Sequence, residues 1–95
     1  MLPEKRTPTH PGEILLEEFL RPLGRSPATL AKHIGLPART VSEIIRRKRR
    51  ITPRMAWLLG QALGTSAEFW ANLQIAFDLA KSQPKRQARR LQKAG

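Results

Sequence analysis

Residues 26–45 read SPATLAKHIGLPARTVSEII. Ser26 is a residue type that caps helix N-termini, and Pro27 suits the first helical position, where a missing N–H leaves nothing unpaired. Leu30, Ala31 and Ile34 then share one face, and Gly35 stops the helix after barely two turns. Pro37 pushes Leu36 towards an extended backbone and opens the next helix, whose apolar stripe is Val41, Ile44 and Ile45 at i, i+3, i+4 spacing. Two short helices are thus joined by a turn of three to four residues, with small Ala31 where they cross.

The flanking sequence continues the helical pattern, and no block alternates like a strand. A first helix is expected to start near Thr9 or His10 with Pro11 in its first turn, and to end at Gly24. Leu15, Phe19 and Leu23 follow at fourfold spacing, with Glu13, Glu17 and Glu18 towards the positive end of its dipole. A fourth helix has Thr52 as cap and Pro53 behind it, turns Met55, Ala56, Leu59, Ala62 and Leu63 inward, and stops at Gly64. A fifth starts at Thr65 or Ser66 and carries Phe69, Trp70, Leu73, Ala76 and Phe77. The expected fold is all-α, with five helices between residues 10 and 80. Residues 1–9 (MLPEKRTPT) read as a flexible arm, and 81–95 as a basic, disordered tail. A nucleic-acid-binding arm explains the tail equally well.

Eighteen Lys and Arg against seven Asp and Glu give +11 on 95 residues, so the charge favours a polyanionic partner. No apolar run approaches the roughly 18 residues that would span a bilayer, and the N-terminus lacks the apolar stretch of a signal peptide. A soluble cytoplasmic protein is expected, with no membrane partner. The absence of cysteine removes disulfide and thiolate chemistry.

Two short helices around a tight turn form a helix-turn-helix, whose second helix enters the major groove. Opposite its apolar stripe lie Ala38, Arg39, Ser42, Glu43 and Arg46, which are base-reading residue types. Arg39 can grip guanine bidentately, Ser42 can bond a base or a phosphate, and Ala38 can meet a thymine methyl. Glu43 either accepts from cytosine or pairs with Arg39 or Arg47, four residues away on either side. Behind it, residues 44–53 read IIRRKRRITP; Arg47, Lys48, Arg49 and Arg50 form a linking loop that reads as a phosphate clamp rather than a targeting signal. The surplus apolar surface of the fifth helix points to a dimer through Phe69, Trp70, Leu73 and Phe77. Trp57 lies off the inward stripe and is either a core-edge filler or a partner contact. His10 and Glu13 have no third or fourth metal ligand to join them, so no metal and no cofactor are expected. His33 caps or flanks the second helix or touches a phosphate. No nucleophile with a base, acid-base carboxylate pair or phosphate-cradling glycine loop indicates an enzyme.

The segment HPGEILLEEFLRPLG, then Ser26, Leu30, Ala31, Gly35, Arg39, Glu43, Ile44, Lys48, Arg49, Ile51 and Thr52, and finally SAEFWANLQIAFDL, resemble the HigA-type antitoxins of the Xre or phage-repressor-like helix-turn-helix superfamily. The resemblance covers residues 10 to about 80. It implies a five-helix, lambda-repressor-like domain that acts as a homodimer on a palindromic operator in double-stranded DNA. It further implies neutralisation of a small HigB-like, mRNA-cleaving toxin and repression of the shared promoter, in the nucleoid-associated cytoplasm. On that reading Ser26 and Thr40 join the 46–50 run in gripping phosphates. A stand-alone Xre-type regulator without a toxin, or a toxin-binding module with little specific DNA binding, are the alternatives. The family usually has glycine where Arg47 stands, and often at Arg50, so a left-handed helix end at 47 would be strained and a different exit is expected.

Overall fold

The computed structural model describes residues 8–94, which hold five helices and no strand. The expected arm falls largely on residues 1–7, outside the described residues. The first helix, α1, covers residues 11–23 in three stretches: Pro11–Ile14, a π-wound Leu15–Leu20, and Arg21–Leu23. Then follow α2 (Pro27–Ile34), α3 (Ala38–Ile45), α4 (Pro53–Leu63) and α5 (Ala67–Lys81). Ser26, Thr52 and Ser66 each accept a hydrogen bond from the backbone N–H three residues on, so α2, α4 and α5 start at their predicted caps. Pro37 stands one place earlier than expected, as the cap residue of α3.

The core consists of Leu15, Leu20, Leu30, Ala31, Val41, Ile44, Ile51, Ala56, Leu59 and Trp70. Each large aliphatic side chain withdrawn this completely stabilises by about 1.5–3 kcal/mol. The fourfold register expected for α1 is corrected. Leu20 is buried five residues after Leu15, Phe19 is half-buried, and Leu23 is 58% exposed. The π winding is the reason, and Arg21 N–H bonds the Leu16 carbonyl five residues back. Pro22 has no N–H and its ring crowds the carbonyl four residues earlier, so the ladder widens ahead of it.

The amino end of α1 packs against the carboxyl end of α3. A Cβ built on Gly12 would lie 1.9 Å from the Ile44 carbonyl oxygen, so no larger residue fits there without moving one helix. His10 caps this helix with its ring, Nδ1 accepting from Gly12 N–H at 2.9 Å. The ring is 6% exposed and meets Phe77 of α5 edge-on at 4.8 Å. Burial, then the positive charge of Arg47, holds the imidazole pKa below its ordinary 6.5; Lys81 acts in the same direction and Asp78 against it.

The folded state therefore keeps His10 neutral where the unfolded chain takes up a proton. Stability is expected to fall as pH drops through 6.5 towards the lowered folded value. Glu43 and Asp78, held below their ordinary 4.5 and 3.8, lose their contribution only at lower pH, so the two windows separate. Urea midpoints measured between about pH 7.5 and 5.5 should decline for the wild type and stay level for His10→Asn, which keeps a capping acceptor without the titration.

Candidate nucleic-acid interface

Helix α3 presents two unlike faces. Val41 and Ile44 are buried, with Ile45 half-buried, whereas Ala38, Arg39 and Arg46 are exposed and Ser42 and Glu43 are half-buried. Thr40, at 9% exposure, lies towards the inward side of the helix. Ser26 stays at the surface, where its hydroxyl caps α2 and shares a hydrogen bond with Thr29 Oγ1 at 2.9 Å.

Glu43 joins the helix to the loop behind it. Its Oε2 accepts from Arg39 Nε at 3.1 Å, and its Oε1 accepts from Arg49 Nε and Nη2 at 2.9 and 2.7 Å. The hydrogen bonds from Arg49 and then Arg39 hold the Glu43 carboxyl below its ordinary range, so it stays ionised and keeps both guanidiniums. Of the two expected pairings, the one with Arg39 is present. The one with Arg47 is not, because Arg47 pairs with Glu13 instead. Arg50 pairs with Asp78 of α5, which leaves Arg46 and Lys48 without a carboxylate partner among the described residues. A guanidinium carries five donors, so an arginine held by one carboxylate still has N–H groups to offer a phosphate.

The exit from α3 answers the question raised by the missing glycine. Arg47 itself takes the left-handed conformation, φ 64°, as Gly24, Gly35 and Gly64 do at the ends of α1, α2 and α4. Arg47 N–H bonds the Ile44 carbonyl at 3.0 Å and Lys48 N–H bonds the Glu43 carbonyl at 2.8 Å, which is the Schellman pattern. The expected strain is present and the expected change of exit is not.

Two residues that sequence reasoning passed over fix the loop to α5. Gln74, 3% exposed, accepts from Ile51 N–H at 2.7 Å and donates to Asp78 Oδ1 at 3.0 Å, while Asp78 holds Arg50. A polar residue at a helix position flanked by Leu73 and Phe77 was the available signal. Trp70 has no surface left for a partner: it is fully buried, with Nε1 donating to Thr65 Oγ1 at 2.7 Å. Its expected place in a dimer interface is therefore corrected. Phe69 is 38% exposed, Leu73 and Phe77 are half-buried, and the outward apolar side chains of α5 are Ile75 at 52% and Leu79 at 67%. Trp57 is 60% exposed. His33 lies exposed in the last turn of α2, beside a cavity of about 240 Å³ shared with Leu20, Leu30 and Leu63. His10 and Glu13 do not converge on a ligand, since one caps a helix and the other binds Arg47. No cluster of three or more potential metal ligands exists among the described residues, and none of their helices is long and apolar enough to cross a membrane.

Comparing Arg47→Gly with Arg47→Ala isolates the left-handed strain, because both lose the pair with Glu13. The glycine variant should be the more stable by about 1 kcal/mol in urea unfolding. Equal stabilities would mean that position 47 does not hold the left-handed conformation in solution.

The profile of a helix-turn-helix family matches residues 16–70. Antitoxin HigA-1 of Vibrio cholerae is 43% identical over 75 residues, covering 79% of this chain and 70% of that protein. Among solved structures, the Pseudomonas aeruginosa antitoxin HigA with the higBA promoter aligns with a TM-score of 0.77 and 48% identity, over 79% of this chain and 82% of that one. Antitoxin GraA in complex with its operator aligns with a TM-score of 0.84 and 38% identity, over 98% of this chain and 100% of that one. The 55-residue profile match contains the whole of α2 and α3, and together with the antitoxin relatives it shows that this chain belongs to the helix-turn-helix family, among the HigA-type antitoxins.

Proposed function

We propose that this protein is the DNA-binding antitoxin of a type II toxin-antitoxin pair, a homodimer that represses its own promoter and neutralises a small mRNA-cleaving toxin in the cytoplasm. The observation that carries the DNA reading is the exposed face of α3. There Arg39, with its side chain 85% exposed, is held through Glu43 to Arg49 of the following loop, so a base-reading group and a backbone-gripping group are positioned together. Arg39, Ser42, Ala38 and Arg46 face the bases, with Glu43 setting the arginines as well as being within reach of a cytosine. Ser26, Arg47, Lys48, Arg49 and Arg50 take the phosphates. The relatives whose structures were solved with operator or promoter DNA support the same reading.

Ile75, Ala76, Leu79 and Ala80 are all exposed on α5 at helical spacing, and we place the dimer contact on this stripe with Phe69 at its edge. Two copies joined there would carry two recognition helices, as a palindromic operator requires. The antitoxin role rests on the relatives.

A gel-shift titration against the DNA upstream of its own gene tests the repressor reading. Binding no tighter than to scrambled DNA would sink it. Arg39→Ala should cost about 1–3 kcal/mol on the operator and relax its sequence preference. Leu79→Glu should convert the dimer to monomers in sedimentation, with the helical content unchanged. A small toxin that stops growth alone and is harmless when co-expressed with this protein would establish the antitoxin role.

A further inference from the structure

Residues 82–94 leave the domain without helix or strand, and every one of them is exposed. They hold Lys85, Arg86, Arg89, Arg90 and Lys93 and no acid, since Asp78 is the last acidic residue of the chain. Among the described residues none of these cations has a carboxylate partner, and Glu13, Glu17, Glu43 and Asp78 are already engaged by arginines of the domain. Leu91, 95% exposed, finds no apolar surface to rest on. The tail is therefore a line of unneutralised charge that its own domain does not hold.

Its point of departure is fixed. Helix α5 ends at Lys81, whose ammonium lies 5.2 Å over the Phe77 ring, and one turn earlier Asp78 holds Arg50 of the loop behind the recognition helix. The tail thus springs from the end of α5 that is tied to the cationic loop. Pro84 keeps the helix from continuing. Extended at about 3.3 Å per residue, thirteen residues reach about 40 Å, slightly more than one turn of B-DNA. The alignment with operator-bound GraA, which takes in 98% of this chain, leaves too few residues aside to omit the tail.

We infer that residues 82–94 are a second DNA-contacting arm that lies along the phosphate backbone outside the base pairs read by α3. The inference rests on the DNA-binding reading above. Like charge in doublets at 85–86 and 89–90 is suited to phosphates, which recur along the strand, and carries no base-reading geometry.

The test uses the full chain with Lys85, Arg86, Arg89, Arg90 and Lys93 all changed to Gln, and two duplexes: the operator alone, and the operator extended by about one turn (roughly 10 bp) on each side. The plot of log affinity against log salt should flatten by about 0.9 per lost phosphate contact, up to about 4.5 per arm, on the extended duplex. On the trimmed duplex the two proteins should have similar slopes, and the hydroxyl-radical footprint of the wild type should exceed that of the variant by about a turn. Identical slopes and footprints on the extended duplex overturn the arm, and would leave an acidic protein surface as the tail's partner. Failure of the wild type to prefer operator over scrambled DNA overturns the sequence-specific reading instead. The arm is still judged in that case, because the salt slope is equally measurable on scrambled DNA.

Discussion

Gly12 against the Ile44 carbonyl is the contact on which the DNA-facing geometry depends. It brings the start of α1 against the end of α3, where a hydrogen atom is all the side chain there is room for. The residues around it serve the same junction. His10 caps α1 with a neutral ring nitrogen, Pro11 occupies the first turn, and Glu13 reaches across to Arg47 just beyond α3. Four consecutive positions of one helix start thereby set the position and the exit of the recognition helix. The buried, uncharged state of His10 couples this junction to α5 through Phe77.

The cationic surface is more ordered than its composition suggests. Arg39, Arg47, Arg49 and Arg50 are each held by a carboxylate, and the three acids that do so come from α1, α3 and α5. Exposed pairs of this kind add little to stability, so their importance lies in restricting long side chains before a ligand arrives. A restricted arginine loses less rotamer entropy when it meets a phosphate. The acids also offset part of the local positive charge, and Arg46 and Lys48 remain without a carboxylate partner among the described residues.

Local signals were read from the sequence with most success. Caps at Ser26, Thr52 and Ser66, prolines behind two of them and stops at Gly24, Gly35 and Gly64 announce the helix boundaries through backbone chemistry that needs no tertiary context. The register of α1 was not legible, because a π-wound stretch breaks the 3.6-residue period on which face assignments rest. Arg47 misled for a related reason: sterics forecast a cost for the left-handed turn, yet the hydrogen bonds to the Glu43 and Ile44 carbonyls outweigh it. At the site, the outward residues of α3 followed from periodicity. Thr40, Trp70 and Gln74 did not, since their burial depends on how distant helices close over them.

Gln74 gives the molecule a mechanical property. Its single amide carries the backbone of Ile51 on one oxygen and the Asp78 carboxylate on its nitrogen, so the segment leaving the recognition helix is pinned to α5 from inside the core. A shift of α5 against the core therefore either carries that segment with it or breaks these two hydrogen bonds.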